Sequence, residues 1–449
     1  MNTSGPDESL TIYQRPVELL QNLIRFNTTN PPGNEKECVS YIDHLLTTAG
    51  FKTSILAKEP SRPNLLARLE GTGDAPPLLL QGHVDVVPTN PEKWTHPPFE
   101  GKIAEGYVWG RGALDMKGGV AMMLSAFLRA KATGLRPKGD VIFAALSDEE
   151  TGCELGSQYL VENYPEQFEG VRYAIGEFGG FPFYLGKLKF YQIQVTEKQR
   201  SRMRVVMNGP DGYGSLLPPK GNVSANLANL LANLDKQLLP AHVTPIPHRM
   251  IEAMSSALPF PSNKILRLLL NPRLTDHVLK ILGEKGRTLH PLFHNTVNAL
   301  KIEGGQTNNL MIPNKIKVHM GAYILPGYRP EDVIAELRPL LLTDADFENL
   351  MFHPVPEKPD MSLFNMLAQI LREDDPAGEP MPMILPTGTD GRFFSRLGIQ
   401  TYGFLPMNLP PDFNFTQYIH ADNERIPVES LDFGSKAIYK LLERYGNTD

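Results

Sequence analysis

The chain has 449 residues, of which 41% are hydrophobic and 21% are charged. This is an ordinary globular composition, and the length predicts about two domains or one domain with a large insertion. The formal net charge of -6 and the lack of a long basic tract exclude the charge pattern of a nucleic-acid-binding protein.

The first part of the chain alternates predicted helices with short apolar strands. Apolar residues at helical spacing predict helices over 16–26 and 39–50. Further along, an amphipathic helix is predicted over 120–132. Predicted strands occupy 63–69, 77–83, 141–146 and 171–177. This alternation predicts an α/β layer around a mostly parallel sheet.

The pattern changes near residue 187. Two alternating, charged strands and a helix over 222–236 are typical of an antiparallel sheet with a helix on one face. A long proline-containing stretch then runs to about residue 295, followed by an alternating strand and another helix. After about residue 355 the α/β pattern returns and ends in a helix. The sequence therefore predicts one α/β domain (1–187 and 353–449) split by an α+β insertion (188–352).

Acidic and imidazole side chains follow several of these runs. His83 ends the run LLLQGH, and Asp85 lies on the same side of an extended segment, because residues two apart share a face. The others are Asp115 in the glycine-rich loop VWGRGALDMKGG, Glu149 and Glu150 after VIFAAL, Glu177 after VRYAIG, and His420 before the last helix. In an open α/β sheet, ligands bind beyond the carboxyl ends of the strands. These positions therefore predict a metal site.

Each residue also has an ordinary structural interpretation. Glu149 and Glu150 could begin a helix, and Asp115 could cap one. Glu177 could pair with a lysine, and His420 could lie in a surface loop. The coincidence at several strand ends favours the metal interpretation. Imidazoles and carboxylates without thiolates suit a borderline divalent metal, and two adjacent ions with a bridging carboxylate would balance the negative charge. Of the adjacent glutamates, one could ligate and the other act as general base.

Five segments together resemble peptidase family M20, which includes aminoacylases, succinyl-diaminopimelate desuccinylase and glutamate carboxypeptidases. The resemblance covers nearly the whole chain, and its segments are GHVDVVP, PFEGKIAEGYVWGRGALDMKGG, SDEETG, GGQTNNLMIPN and GTDGRFF. It implies a zinc-exopeptidase-like α/β domain with a mostly parallel central sheet. It also implies that a ferredoxin-like α+β lid interrupts this domain and mediates a homodimer.

The resemblance also implies a role for each candidate residue. Two divalent ions are expected, with zinc first and manganese or cobalt as alternatives. The implied roles are Asp115 as bridging ligand, His83 and Glu177 on one ion, Glu150 and His420 on the other, Glu149 as general base, Asp85 as the carboxylate that orients His83, and Tyr213, Asn309 and Gly388 as substrate contacts.

Two positions depart from the family pattern. Tyr213 stands where the lid motif normally carries a histidine that reaches the substrate oxyanion. Tyr323 stands where an arginine commonly holds a substrate carboxylate. Two explanations of both tyrosines are open. One is sequence drift in a packed lid, and the other is a site rebuilt for a substrate without a free α-carboxylate. Nearby arginines could supply positive charge instead, namely Arg200, Arg202 and Arg204. A solvated strand face explains these arginines as well.

The sequence thus predicts a dinuclear-metal hydrolase of a small N-acyl amino acid, dipeptide or related amide, in which Glu149 activates a metal-bridging water. The alternatives are a hydrolase of an ester, carbamate or unusual amide, and a catalytically silent binding protein. Only two cysteines occur, and the N-terminus lacks the apolar core of a signal peptide. We therefore expect a cytoplasmic protein without membrane or nucleic-acid partners.

Overall fold

The computed structural model describes residues 8–210, 212–213, 220–236, 238–305 and 311–447. Its strands are β1 (Thr53–Leu56), β2 (Asn64–Leu69), β3 (Leu78–His83), β4 (Lys102–Ala104), β5 (Tyr107–Trp109), β6 (Val141–Leu146), β7 (Tyr173–Gly176), β8 (Phe181–Leu185), β9 (Leu188–Glu197), β10 (Gln199–Asn208), β11 (Gly212–Tyr213), β12 (Thr296–Gly304), β13 (Met311–Ile312), β14 (Lys315–Ile324), β15 (Asp346–His353), β16 (Gly378–Leu385), β17 (Gln400–Gly403) and β18 (Arg425–Pro427). Its α-helices are α1 (Pro16–Arg25), α2 (Lys36–Thr48), α3 (Lys117–Ala132), α4 (Ser157–Asn163), α5 (Val223–Lys236), α6 (Pro245–Ala257), α7 (Ser262–Arg267), α8 (Thr275–Ile281), α9 (Glu284–Leu289), α10 (Pro330–Leu337), α11 (Phe364–Asp374), α12 (Gly391–Phe394), α13 (Phe415–Tyr418) and α14 (Val428–Arg444).

The chain divides into two compact units. The first unit comprises Met1–Val195, Asp360–Pro382 and Thr389–Asp449, and the second unit comprises Thr196–Pro359 and Met383–Gly388. The chain therefore leaves the first unit and later returns to it. The domain boundaries at 187/188 and 352/353 stay a prediction. Division of the chain into compact units places the corresponding boundaries at 195/196 and 359/360.

The central sheet has a parallel core. Its strand order is β1-β2-β6-β3-β7-β17-β9-β16, with β8 paired to β9. Strand β3 runs parallel to β6 and β7, and β17 runs parallel to β7, whereas β1, β2, β8 and β9 add antiparallel pairs. His83 pairs with Leu146, the last residue of β6. The carboxyl ends of β3, β6 and β7 therefore share one edge of the sheet, where ligands bind in open α/β folds. The predicted α/β class with a mostly parallel sheet is confirmed.

Helix α3 is buried on nearly all sides, so the expectation of an amphipathic helix from residue 120 is wrong. The helix begins at Lys117 and is buried from there to Leu128. It packs against β3, α1 and α14. A helix enclosed by a sheet and other helices needs apolar residues all round, which explains the weak amphipathic pattern. Its early start places the first turn directly after Asp115.

The second unit contains an antiparallel sheet in the order β12-β14-β10-β15. One face is apolar, with Met203, Val205, Val318 and Met320 fully buried. Helix α5 packs against β10 and β14 over this face. The segment 245–289, predicted as a proline-containing stretch, forms α6 to α9. Among the described residues, no helix has both the length and the apolar character to cross a bilayer.

Candidate metal centre

Asp115 lies between two imidazoles. Its Oδ1 is 3.1 Å from Nε2 of His83, and its Oδ2 is 3.1 Å from Nε2 of His420. His420 Nε2 is also 3.2 Å from Oε2 of Glu150, and His83 Nε2 is 3.5 Å from Oε2 of Glu177. The five residues predicted as metal ligands thus form a continuous cluster, in which the two oxygens of Asp115 face opposite histidines.

Each member of the cluster comes from the carboxyl edge of the sheet or from a loop beside it. His83 ends β3, Glu177 follows β7, and Glu150 follows β6 by a short loop. Asp115 precedes α3. His420 lies between α13 and β18 with its backbone in the left-handed region, at φ 56°. The strand ends fix three of the candidate ligands, and two loops carry the others.

The donor atoms suit borderline divalent metals. Ligand atoms of His83, Asp115 and Glu150 lie within 4.8 Å of one another, as do those of His83, Glu149 and Glu177. All are imidazole nitrogens or carboxylate oxygens, a donor set that fits Zn²⁺ and also Mn²⁺ or Co²⁺. Oε1 of Glu150 is buried and has no hydrogen-bond partner among the described residues. A bound cation would satisfy that oxygen, because a buried carboxylate normally has a partner.

The cluster favours added positive charge. Hydrogen bonds with Asp115 and Glu150 raise the pKa of His420 to about 10. Burial raises the pKa of Glu177 to about 8, although its contact with His83 opposes that change. Both directions indicate that carboxylates outnumber nearby cations in a buried space. Two divalent ions would relieve this imbalance.

Asp85 holds His83 and a second segment at the same time. Nδ1 of His83 lies 3.0 Å from the backbone carbonyl oxygen of Asp85 and 3.4 Å from Oδ1 of its carboxylate. Nδ1 donates its proton to that carbonyl, which leaves Nε2 as the nitrogen available to a metal ion. The Asp85 carboxylate accepts hydrogen bonds from the backbone N–H groups of Glu149 and Glu150, each at 3.1 Å. Asp85 therefore orients one predicted ligand and fixes the peptide that carries the predicted base.

Glu149, the predicted general base, has an arginine beside it. Nη1 of Arg392 lies 3.7 Å from Oε1 of Glu149, and the Arg392 guanidinium is almost fully buried. Burial and the neighbouring Glu177 raise the pKa of Glu149 well above its usual range. A carboxyl group with a raised pKa can both accept and return a proton near neutral pH.

Glu424 is a site residue that the sequence analysis missed. Its buried carboxylate accepts hydrogen bonds from the backbone N–H groups of Gly112, Leu114 and Asp115, at 3.1, 2.7 and 3.1 Å. It also pairs with Arg111 at 2.6 Å. Glu424 thus connects the loop of Asp115 with the loop of His420. The sequence analysis missed this contact because Glu424 lies far from the loop of Asp115 in the sequence. Its position four residues after His420, a candidate ligand, could have indicated a role at the site.

An apolar recess adjoins Asp115 and Glu177. Its other walls are Leu114, Phe178, Phe181, Leu405, Met407 and Phe415. The rings of Phe181 and Phe415 are stacked with their centroids 4.1 Å apart. These apolar side chains pack closely beside the two carboxylates and leave no room there for a water molecule.

The predicted substrate contacts lie elsewhere in the chain. The backbone of Tyr213 forms β11 with β13, whereas its side chain and the whole of Asn309 lie outside the described residues. Gly388 follows β16 and belongs to the second unit. Their roles as substrate contacts stay predictions.

Comparisons with known proteins agree on one family. Residues 79–444 match the model described as Peptidase family M20/M25/M40. The chain is 27% identical over 445 residues to N-fatty-acyl-amino acid synthase/hydrolase PM20D1 of Xenopus tropicalis, covering 95% of this chain and 85% of that protein. Among solved structures, the M20 family metallo-carboxypeptidase Sso-CP2 of Sulfolobus solfataricus superimposes with a TM-score of 0.66 at 17% identity, covering 96% of this chain and 99% of that one. The dipeptidase Dug1p of Saccharomyces cerevisiae also gives 0.66, at 16% identity and 98% coverage of both chains. These two structures support the fold.

Proposed function

Because the chain belongs to peptidase family M20/M25/M40, we propose that it is a dinuclear-metal hydrolase that cleaves the amide bond of a small N-acyl amino acid, dipeptide or related compound. The observation that carries the proposal is the position of Asp115 between His83 and His420, at 3.1 Å from each. A carboxylate with one oxygen toward each imidazole is suited to bridge two ions.

Two ions bound by His83, Asp115, Glu150, Glu177 and His420 would polarise the scissile carbonyl and acidify a water molecule. Glu149 takes a proton from the attacking water as the water oxygen bonds to the carbonyl carbon. The C–N bond then breaks, and Glu149 passes that proton to the leaving amine nitrogen. The Arg392 guanidinium, 3.7 Å from Glu149 Oε1, limits the orientations that this carboxylate can take.

The name of one relative supports a substrate with a hydrocarbon acyl group. The relative from Xenopus tropicalis is named for N-fatty-acyl amino acids. We therefore extend the proposal to apolar N-acyl amino acids. A cytoplasmic location and a homodimer through the second unit also remain proposals.

Release of amine from a matched substrate panel tests the proposal. N-acetyl-leucine, N-octanoyl-leucine and a dipeptide are each offered as the free acid and as the carboxamide to zinc-loaded enzyme. We expect turnover of at least one amide. Glu149→Gln should lose about 10²–10⁴-fold in kcat, because the amide cannot accept the proton. Glu149→Gln should still bind zinc in the wild-type amount, as measured by elemental analysis. Full activity of Glu149→Gln, or no amide turnover by metal-loaded wild type, would contradict the proposal.

A further inference from the structure

His420 is the most exposed of the five candidate metal ligands. Its side chain is 51% exposed, whereas the side chains of the other four are at most 7% exposed. It lies in the segment 404–424, which connects β17 to β18 and contains the four-residue helix α13. An exposed side chain on a connecting segment gains little from core packing. Contacts made by the segment itself must therefore hold this imidazole beside Asp115 and Glu150.

The backbone around His420 has a conformation that residues with a Cβ atom disfavour. His420 has a φ of 56° and Asn423 a φ of 63°. Between them and just before them the chain turns, and the N–H of Ala421 donates to the carbonyl oxygen of Tyr418 at 3.2 Å. We call Tyr418–Asn423 the His420 turn. Left-handed backbone persists at such residues where surrounding contacts hold it, so the His420 turn depends on contacts from outside it.

Arg425 contacts both ends of the His420 turn. Its Nη2 donates to the hydroxyl of Tyr418 at 2.7 Å, and its Nη1 donates to the carbonyl oxygen of Asn423 at 3.1 Å. Its guanidinium carbon also lies 4.1 Å from the centroid of the Tyr418 ring, at the distance of a cation–π contact. One guanidinium thus fixes a residue before His420 and a residue after it.

Arg425 is itself anchored to the strand that leads to Asp115. Its backbone pairs with Trp109, the last residue of β5. Its guanidinium carbon lies 4.4 Å from the centroid of the Trp109 ring and 5.2 Å from that of Tyr107. The glycine-rich loop that ends at Asp115 follows β5 directly. Arg425 therefore connects the His420 turn to the strand before Asp115, and all of these residues belong to the first unit.

The contacts of Arg425 depend on the shape of its side chain. Over the described residues, the two hydrogen-bond acceptors of its guanidinium are a phenol and a backbone carbonyl, and neither carries a charge. A planar guanidinium can donate to two acceptors while its face lies on a ring, which the compact ammonium of a lysine cannot do. The contacts indicate that Arg425 holds a geometry and does not neutralise a carboxylate.

We propose that Arg425 is a positioning residue for His420. By holding both ends of the His420 turn, it keeps the imidazole where it can bind the same metal ion as Glu150. The inference rests on the proposed function, because it takes His420 and Glu150 as ligands of one of two ions. It goes beyond that function by assigning one of the two metal sites to a contact between an arginine and a tyrosine that do not touch the metal.

The test is a calorimetric titration of zinc into full-length protein freed of metal. The proteins are wild type, His420→Ala, Arg425→Met, the double variant His420→Ala/Arg425→Met, and Arg129→Met. His420→Ala identifies the binding step that needs the imidazole. Arg129 is the matched control, because it is also half-buried and also stacks on a tyrosine, with its guanidinium carbon 3.9 Å from the centroid of the Tyr439 ring.

We expect wild type to bind two zinc ions. Arg425→Met should weaken the step that His420→Ala removes by about 10- to 100-fold, the loss typical of a residue that holds a metal ligand. The other step should stay within about twofold of wild type, as should both steps in Arg129→Met. In the His420→Ala background, Arg425→Met should have no further effect, because Arg425 acts through the imidazole.

Three results would overturn the role of Arg425. These are unchanged zinc binding in Arg425→Met, equal weakening of both steps, and a further loss in the double variant. If Arg425→Met does not fold, Tyr418→Phe decides the question, since it keeps the ring and removes one hydrogen bond to Arg425. We expect Tyr418→Phe to weaken the same step about fivefold, and unchanged binding would overturn the role.

Zinc binding is measured without turnover, which separates this inference from the proposed function. A wild type that binds two ions but cleaves no amide overturns the proposed function and leaves the result on Arg425 standing. Amide turnover by wild type together with unchanged zinc binding in Arg425→Met overturns the role of Arg425 alone. Fewer than two ions bound to wild type would contradict both.

Discussion

Glu424 shows how one side chain connects two loops of the metal centre. Its carboxylate accepts three backbone N–H groups of the loop that ends at Asp115, and it lies four residues after His420. The carboxylate is fully buried and paired with Arg111. Residues that hold metal ligands in this way often matter nearly as much as the ligands themselves.

Glu424→Gln should weaken zinc binding about 10- to 100-fold. The substituted amide would turn an N–H group toward backbone donors, and the pair with Arg111 would lose its negative charge. Zinc affinity measured by competition with a chromophoric chelator checks this expectation. Glu70→Gln, an exposed glutamate after β2, is the control. Unchanged zinc affinity in Glu424→Gln would show that the loops keep their places without this carboxylate.

Motif spacing could predict the candidate ligands and Asp85, which lies two residues from His83, but not Glu424. His83, Asp115 and Glu177 each follow a recognisable apolar run or glycine-rich loop. The carboxylate of Glu424 accepts a hydrogen bond from the backbone N–H of Leu114, which lies 310 residues earlier in the chain. Hydrogen bonds between side chain and backbone carry no residue-type signature on the backbone side, so pattern reading does not find them.

Helices α3 and α14 approach each other closely at a glycine. A Cβ added to Gly434 of α14 would lie 2.3 Å from the sulfur of Met122 and 2.6 Å from the carbonyl oxygen of Pro406. Glycine ordinarily costs a helix about 1 kcal/mol relative to alanine. Its presence here is explained by the packing of α14 on α3, the helix that begins directly after Asp115.

Gly434→Ala should therefore lower the free energy of unfolding by about 1–2 kcal/mol, since overpacking of about 1–3 kcal/mol exceeds the gain in helix propensity. Urea denaturation followed by circular dichroism measures the change. Lys436→Ala, at an exposed position of α14, should stay within about 0.5 kcal/mol of wild type. A more stable Gly434→Ala would mean that the two helices separate easily.

The sequence predicted buried elements better than exposed ones. β3, β6 and β7 are continuous apolar runs and were found. β12 and β15 were missed, because they form the two edges of the second sheet, where most residues of β12 and half of those of β15 are exposed. The helices α6 to α9 were missed for another reason. Pro245 is the first residue of α6, where proline is tolerated, so this proline marks a helix start rather than irregular chain.

The stability of the whole molecule should depend on pH through Lys198. Burial lowers the pKa of this amine from 10.5 to about 7 in the folded protein. Between these values the unfolded chain binds more protons, so the contribution of Lys198 to the free energy of unfolding rises with pH. The penalty is complete below pH 7 and is lost above about pH 10.5.

Lys198→Met removes this penalty. Its free energy of unfolding should exceed that of wild type at pH 7, by on the order of 3 kcal/mol, and the difference should shrink as the pH rises to 10. Urea denaturation of both proteins at several pH values gives this difference. The contributions of the other titrating groups are the same in both proteins and cancel. A pH-independent difference for Lys198→Met would show that its amine is charged in the folded protein.

Because the chain returns to the first unit after the second, the parts of the first unit are translated at different times. Most of the second unit, Thr196–Pro359, leaves the ribosome before α14 does. Helix α3 and the loop of Asp115 are translated before the second unit, whereas their partners α14, His420 and Glu424 are translated after it. The inserted unit can fold while translation continues. The candidate metal centre, in contrast, is complete only after His420 and Glu424 have been translated, and until then the face of α3 that packs on α14 lacks that partner.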